Sequence, residues 1–359
     1  MKNIYIIAEA GVNHNGNRET AFKLIDSAVA SGADAVKFQT FKAENLVTKS
    51  ADKAAYQKET TDNSETHFEM LKKLELPYDL HYELIAYCQK YEIDFLSTAF
   101  DLESLEFLVS NLKLKTLKIP SGEITNGPLL LAHANVGCNL ILSTGMATLG
   151  EIEEALSVLA FGLINGQSIK PSKIAFQQAY LSVEGQEMLK DKVTILHCTT
   201  EYPAPPNEIN LNAMQTMRNA FGLQTGYSDH SEGITVPIAA TVMGATVIEK
   251  HFTLDRTLPG PDHKASLEPG ELKEMVKAIR IVEQSMGDGI KGPIPSETKN
   301  SPVVRKSLIA SKDIKQGEKF SEDNMTVKRP GTGISPIEYW GMLGKIAHSD
   351  IMQDTLIDQ

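Results

Sequence analysis

The chain has 359 residues, too many for one ordinary domain and few for three, so about two domains are expected. Apolar residues make up 42% of it and charged residues 23%, a globular balance that excludes a disordered or fibrous chain. The net charge of −11, with no basic block, argues against nucleic-acid or anionic-membrane partners, although a few lysines in a cleft can still hold an anionic small molecule.

Short runs rich in Ile, Val, Leu and Phe alternate along the chain with stretches of helical periodicity. The N-terminal MKNIYIIAEAGVNHNG turns polar too soon for a signal peptide, so it reads as the first strand, 5–11. A helix follows at 18–32, then strands at 35–41, 94–100, 117–122, 140–145, 193–199, 224–230 and 246–252. Further helices are predicted at 78–91, 149–163 and 269–287. Most strands are continuous apolar runs, as in parallel strands covered on both faces. Eight strand–helix alternations predict an α/β fold, a (β/α)₈ TIM barrel over 1–287. No GxGxxG follows the first strand, which disfavours a dinucleotide-binding sheet. The weakly periodic stretch 164–192 reads as a surface excursion. Residues 288–302 are rich in Gly, Pro and Ser and read as a linker. Residues 303–359 then form a small β-rich module with one short helix, marginal in size for a core of its own. No apolar run is long enough to span a bilayer. Three cysteines (Cys88, Cys138 and Cys198) without a CxxC pair suit a reducing cytoplasm.

In such a barrel the catalytic groups lie at the C-terminal strand ends. These ends carry polar residues all round: Glu9, Asn13 and His14; Lys37 and Gln39; Ser97 and Thr98; Lys118, Ser121 and Glu123; Ser143 and Thr144. The series continues with His197, Cys198, Thr199, Thr200 and Tyr202, then Ser228, Asp229 and His230, then Glu249, Lys250 and His251. Singly, each has a plain structural reading. A strand-end Ser or Thr often caps a helix. Glu249 could pair with Lys250 or a neighbouring helix, and His197 could be a satisfied core residue. Lys37 and Lys118 are different, because a lysine inside an apolar strand needs an anionic partner, either an internal carboxylate such as Glu9 or Glu123 or a substrate anion. Lys118, Ser121, Ser143 and the glycines beside them suit a phosphate. His230 and His251 end adjacent strands and could share a divalent metal, with Glu9 and Asp262 as oxygen donors. Such a donor set suits Mn²⁺ or Mg²⁺ better than structural zinc.

The strings IIAEAGVNHNG, DAVKFQTF, FLSTAFD, KIPSGEI, ILSTGMAT, LHCTTEYPAP, GYSDHSEG, IEKHFTLD, GPDHKASLEP and KRPGTGISP occur in this order. Together they resemble the bacterial sialic acid synthase family, which makes N-acetylneuraminate, legionaminate or pseudaminate. The tail resembles the antifreeze-like (SAF) domain of that family. The resemblance implies a transferase that condenses phosphoenolpyruvate with an open-chain N-acetylmannosamine-type sugar, releasing phosphate by C–O cleavage. N-acetylneuraminate is the first expectation for the product and N,N'-diacetyllegionaminate, from 2,4-diacetamido-2,4,6-trideoxymannose, the alternative. His230 and His251 match metal ligands, with Mn²⁺ expected first and Mg²⁺ or Co²⁺ as alternatives. Lys37, Thr98, Lys118, Ser121, Ser143 and Ser228 match positions that hold phosphoenolpyruvate. Glu9 matches the acidic group facing the reacting carbons. Asp262, Glu123 and Tyr202 match sugar-side positions. Arg329 matches a tail arginine that reads the acetamido group in the other subunit of a domain-swapped homodimer. Thr200 departs from one branch of the family, which carries Asn there. Two other readings are a class I aldolase with Lys37 or Lys118 as Schiff-base nucleophile, and a non-catalytic sugar-binding barrel.

Overall fold

The computed structural model describes residues 3–62, 64–165 and 169–358. It divides into two compact units, 1–286 and 287–359. In the first, eight parallel strands close into a barrel in chain order. They are β1 (Tyr5–Gly11), β2 (Ala35–Thr40), β3 (Asp94–Ala99), β4 (Thr116–Ile119), β5 (Asn139–Ser143), β6 (Val193–Cys198), β7 (Gln224–Asp229) and β8 (Val247–His251). β8 pairs with β1 to complete the ring.

The first crossover helix, α1 (Arg18–Ser31), starts where the Asn17 side chain accepts a hydrogen bond from the Thr20 amide. It stops at Gly32, whose φ of 76° is the left-handed conformation of a C-terminal cap. The connection from β2 to β3 is longer. It carries three short helices, α2 (Ala43–Leu46), α3 (Ala55–Thr60) and α4 (His67–Leu74), before the crossover helix α5 (Tyr78–Lys90). A Thr66–Glu69 capping box starts α4. The remaining helices are α6 (Leu102–Glu106), α7 (Gly127–Asn135), α8 (Leu149–Asn165), α9 (Lys173–Leu181), α10 (Val183–Lys192), α11 (Asn212–Phe221), α12 (Thr235–Val242) and α13 (Pro269–Ser285).

The stretch 164–192 is therefore not a plain surface excursion. Residues 166–168 lie outside the described residues, but α9 and α10 follow them, each capped by a serine, Ser172 and Ser182. Buried Ala179 and Leu189 join the core shared by α7, α8 and the strands beneath. The weak periodicity has a physical cause: each helix buries only a narrow stripe, so few positions had to be apolar.

Inside the barrel, Ile7, Ala35, Leu96, Ile141, Leu196 and Val247 form one apolar layer. Side chains alternate along a strand, so the residue two positions on from each points inward again. Those residues are Glu9, Lys37, Thr98, Ser143, Cys198 and Glu249, one step nearer the C-terminal face. An apolar floor thus lies beneath a polar layer.

The second unit has two short helices, α14 (Pro295–Thr298) inside the predicted linker and α15 (Ser301–Val304) across its end, and an antiparallel pair, β9 (Ser307–Ala310) and β10 (Met325–Lys328). With α16 (Tyr339–Met342) it has a core of its own around Leu308, Ile314, Phe320, Met325, Met342 and Ile357.

Candidate active site

A cavity of about 570 Å³ opens above the polar layer at the C-terminal strand ends. Its lining includes Glu9, Lys37, Thr98, Lys118, Ser121, Glu123, Ser143, Tyr202, Ser228, His230, His251 and Asp262, which is every barrel residue singled out from the motifs. Arg329 belongs to the second unit, where its Nε donates to the Val304 carbonyl at 3.0 Å.

The centre of the site is a buried charge network. Lys37 Nζ lies 2.5 Å from Glu9 Oε2 and 3.6 Å from Glu249 Oε2, and it donates to Thr98 Oγ1 at 3.2 Å. Lys118 Nζ donates to Ser143 Oγ at 2.6 Å and to Glu249 Oε1 at 3.3 Å. Ser228 donates to the same Glu249 oxygen at 2.9 Å. Burial alone would raise the Glu249 carboxyl, but the Lys118 and Lys37 ammonium groups pull it down to about 2. For Glu9 burial wins over the pull of Lys37, and its carboxyl is pushed up to about 7. Burial works against the Lys37 charge, yet Glu249 and Glu9 hold it above its ordinary value. The two lysines thus face one firmly ionised carboxylate, Glu249, and a second, Glu9, that is protonated in part near pH 7, with hydroxyls beside each lysine. That arrangement accepts an anion.

The aim of Glu9 depends on the backbone just beyond it. Gly11 has a φ of 52°, and a side-chain carbon there would meet His251 Cε1 at 3.3 Å and Glu9 Oε1 at 3.4 Å. The pairing register of β1 with β2 shifts between Glu9 and Gly11. Above this level, Ser121 Oγ accepts from the Gly145 amide at 2.9 Å and lies 3.1 Å from Cys198 Sγ.

His230 and His251 stand with ring centroids 5.5 Å apart. Tyr202 stacks on His230 at 4.0 Å and meets His251 edge-on at 5.6 Å. His230 Nδ1 lies 2.5 Å from the Thr199 carbonyl, so that nitrogen carries the hydrogen and Nε2 keeps its lone pair. Burial depresses both imidazoles, His230 to about 4 and His251, next to His230, well below its ordinary value. Both are neutral near pH 7. Asp262 Oδ2 is 3.7 Å from His251 Nδ1, which is buried without a hydrogen-bond partner. Burial pushes the Asp262 carboxyl up to about 6. Among the described residues no group of three or more His, Cys, Asp or Glu is arranged around a metal position. The site therefore offers two neutral imidazoles, and a metal there would draw further ligands from water or substrate.

Several strand-end residues face elsewhere. His197 Nε2 donates to the Ile209 carbonyl at 2.6 Å, its core reading. Ser97 shares a hydrogen bond with Thr40 at 2.7 Å behind β3. Asn13 donates to the Phe252 carbonyl at 2.8 Å. Lys250 and Asp229 pair at 2.6 Å, with neither in the cavity. Glu249 therefore does not pair with Lys250 but with the two interior lysines. Lys118 has Glu249 as its anionic partner, while Glu123 is held by Asn126 at 2.7 Å. Glu249 and Cys198 are the site residues that the strand-end reading undervalued. The alternation from Val247 through Glu249 to His251 is the signal that marks Glu249. A larger cavity, about 1000 Å³, lies at the opposite end of the barrel. There Tyr5 donates to Asp94 at 2.6 Å and Arg280 pairs with Glu283 at 3.1 Å.

Comparison with known proteins agrees with this geometry. Residues 24–291 match the model of the NeuB family, and residues 305–359 match that of the SAF domain. The chain belongs to the NeuB family. It is 54% identical to an N,N'-diacetyllegionaminic acid synthase of Campylobacter jejuni over 99% of both chains. It is 46% identical to an N,N'-diacetyllegionaminic acid synthase of Legionella pneumophila, over 95% of this chain and 89% of the other. Among solved structures, the N-acetylneuraminic acid synthetase of Leptospira borgpetersenii in complex with citrate is 33% identical, with a TM-score of 0.66. That match covers 83% of this chain and 90% of the other. NeuB family membership removes the non-catalytic barrel from consideration. The Schiff-base reading fails on the site itself: Lys37 is held as an ammonium ion by two carboxylates, and Lys118 is ion-paired with Glu249.

Proposed function

We propose that this NeuB family enzyme is a nonulosonic acid synthase. It condenses phosphoenolpyruvate with the open-chain aldehyde of 2,4-diacetamido-2,4,6-trideoxymannose, giving N,N'-diacetyllegionaminate and phosphate. The observation that carries the reaction class is the buried Lys37–Lys118 pair, flanked by Thr98, Ser143 and Ser228, beneath two neutral imidazoles. The choice of sugar rests on the 54% and 46% identical relatives, which favour legionaminate over the N-acetylneuraminate expected first from the motifs.

In this reading Lys37, Lys118 and the hydroxyls of Thr98, Ser121, Ser143 and Ser228 hold the phosphate and carboxylate of phosphoenolpyruvate. Its C3 bonds to the aldehyde carbon, and the aldehyde oxygen gains a proton. A water adds at C2, and its two protons leave, one matching that gained by the aldehyde oxygen and one going to phosphate, as the C2–O bond to phosphate breaks and the C2 ketone forms. Glu9, whose carboxyl is pushed up to about 7, can hold and release a proton beside the reacting carbons. Asp262, Glu123 and Tyr202 border the acceptor. His230 and His251 would hold a divalent ion, Mn²⁺ first with Mg²⁺ or Co²⁺ as alternatives; the unpartnered Nδ1 of His251 fits that role. When bound, the ion supplies a Lewis acid for the developing charge on the aldehyde oxygen.

We also infer a homodimer in which Arg329 of one chain meets the acetamido group held by the other. The working compartment in this reading is the cytoplasm. Cys88, Cys138 and Cys198 are free thiols, and no helix among the described residues is long and apolar enough to cross a membrane.

The test is phosphate release from phosphoenolpyruvate and Mn²⁺ with each sugar in turn, with product mass as a second readout. Faster turnover of the diacetamido sugar is expected. Turnover of N-acetylmannosamine alone would reinstate the neuraminate reading.

A further inference from the structure

The cavity has two chemically different sides. Its floor is ionic, built from Lys37, Lys118 and Glu249. The side built by the connection from β2 to α5 carries Tyr56, Gln57 and His67, and beside them an apolar patch of Phe41, Val47, Met70 and Leu71, joined by Phe100 just after β3. Phe41, Met70 and Leu71 belong to a hydrophobic cluster of their own, apart from the barrel–helix cores, with Val47 and Phe100 packed against it. Phe100 stands edge-on to Phe41 at 6.0 Å. Val47 and Phe100 remain half-buried, so part of their apolar surface faces the cavity.

An ordinary hexose would bring hydroxyls to this side. One set against Phe41, Val47, Met70 and Phe100 would lose its water and find no hydrogen-bonding side chain among them. The acceptor reacts through its aldehyde carbon, which must lie beside Glu9 and the imidazole pair. Its terminal carbon is then the part furthest from the ionic floor. We propose that the apolar wall receives the terminal methyl group of a 6-deoxy acceptor, and that Val47 and Met70 are specificity-determining residues against sugars with a C6 hydroxyl. The inference rests on the trideoxy sugar being the acceptor, and it assigns the surface that reads C6.

The test compares two acceptors that differ only at C6, 2,4-diacetamido-2,4,6-trideoxymannose and 2,4-diacetamido-2,4-dideoxymannose. Each is assayed at saturating phosphoenolpyruvate and Mn²⁺ with the wild type, Val47→Thr and Met70→Gln. The wild type is expected to favour the 6-deoxy sugar by about tenfold or more in kcat/KM, the usual worth of one such group in an apolar pocket. Each variant should narrow that ratio by about tenfold, with the KM for phosphoenolpyruvate unchanged. Thermal unfolding checks that the variants fold; Val47→Thr, nearly isosteric and half-buried, carries the test if Met70→Gln does not. A wild-type ratio near one, or the same ratio in the wild type and the folded variants, overturns the wall assignment alone. If the wild type accepts N-acetylmannosamine but neither diacetamido sugar, the substrate reading fails first and the wall assignment falls with it.

Discussion

Glu249 Oε1 lies 3.3 Å from Lys118 Nζ in the middle of the barrel, and both side chains are almost wholly out of contact with solvent. The other oxygen of the same carboxylate faces Lys37 at 3.6 Å. One carboxylate therefore serves two ammonium groups that the proposed reaction needs for phosphoenolpyruvate. Without it, two buried cations would share only Glu9, whose own carboxyl is pushed up to about 7.

Glu249→Gln keeps the shape and an acceptor for Ser228 but removes the charge. Breaking a buried ion pair on one side costs about 3–5 kcal/mol. The variant is expected to lose stability on that scale in urea unfolding, and an unchanged midpoint would contradict the network. Lys118→Ala, the complementary change, should raise the KM for phosphoenolpyruvate by more than tenfold while the KM for the sugar moves little. Equal effects on both KM values would remove Lys118 from the phosphate site.

His230→Ala and His251→Ala are each expected to abolish metal-dependent turnover. Direct Mn²⁺ titration should show weakened binding in both. Full activity in either variant would end the assignment of this pair to a metal.

Much of this site is legible in the sequence because strand alternation is strict. Once Ile7, Ala35, Leu96 and Val247 are taken as one inward layer, Glu9, Lys37, Thr98 and Glu249 must form the next. Glu249 lost its place for a local reason: Lys250 beside it offered a plausible partner, but neighbours along a strand point to opposite faces. Asp262 lies in a loop with no period, so only its carboxylate chemistry and its motif marked it. The helices α9 and α10 escaped because each buries a single narrow stripe. The apolar wall of the cavity was hidden for a different reason. Val47, Met70 and Phe100 come from separate elements, and no spacing in the chain announces that they meet.

Two histidines outside the cavity lining make a prediction about pH. His81 donates from Nδ1 to the Pro77 carbonyl at 2.9 Å, and His133 does the same to the Leu129 carbonyl at 2.9 Å. Burial lowers each imidazole from 6.5 to about 4. Between those values the unfolded chain takes up protons that the folded chain refuses, so folding stability falls as pH drops from about 6.5 towards 4 and is fully present above that window. Urea unfolding at pH 7.5, 6 and 5 should show a loss of a few kcal/mol. His133→Leu should flatten part of the slope; a slope identical to that of the wild type would refute the assignment.

Arg329→Ala is expected to raise the KM for the sugar and leave that for phosphoenolpyruvate unchanged. Mixing it with an inactive barrel variant such as His251→Ala should restore part of the activity, because a mixed dimer would contain one intact site. No recovery on mixing would count against the exchange of tails between subunits.

Gly145 tests the phosphate end of the cavity by steric means alone. A side-chain carbon at this position would overlap Thr200 Oγ1 and meet Ser121 Oγ at 2.8 Å and Cys198 Sγ at 3.0 Å. All three residues line the cavity, and Ser121 Oγ also takes the Gly145 amide hydrogen at 2.9 Å. Gly145→Ala must push at least one of them away from its place. Overpacking of this kind costs about 1–3 kcal/mol. Because Ser121 is among the hydroxyls proposed to hold phosphoenolpyruvate, the KM for phosphoenolpyruvate should rise by roughly tenfold, with the preference between sugars unaltered. Unchanged phosphoenolpyruvate kinetics in a folded Gly145→Ala enzyme would mean that Ser121 and Thr200 stand clear of the bound anion.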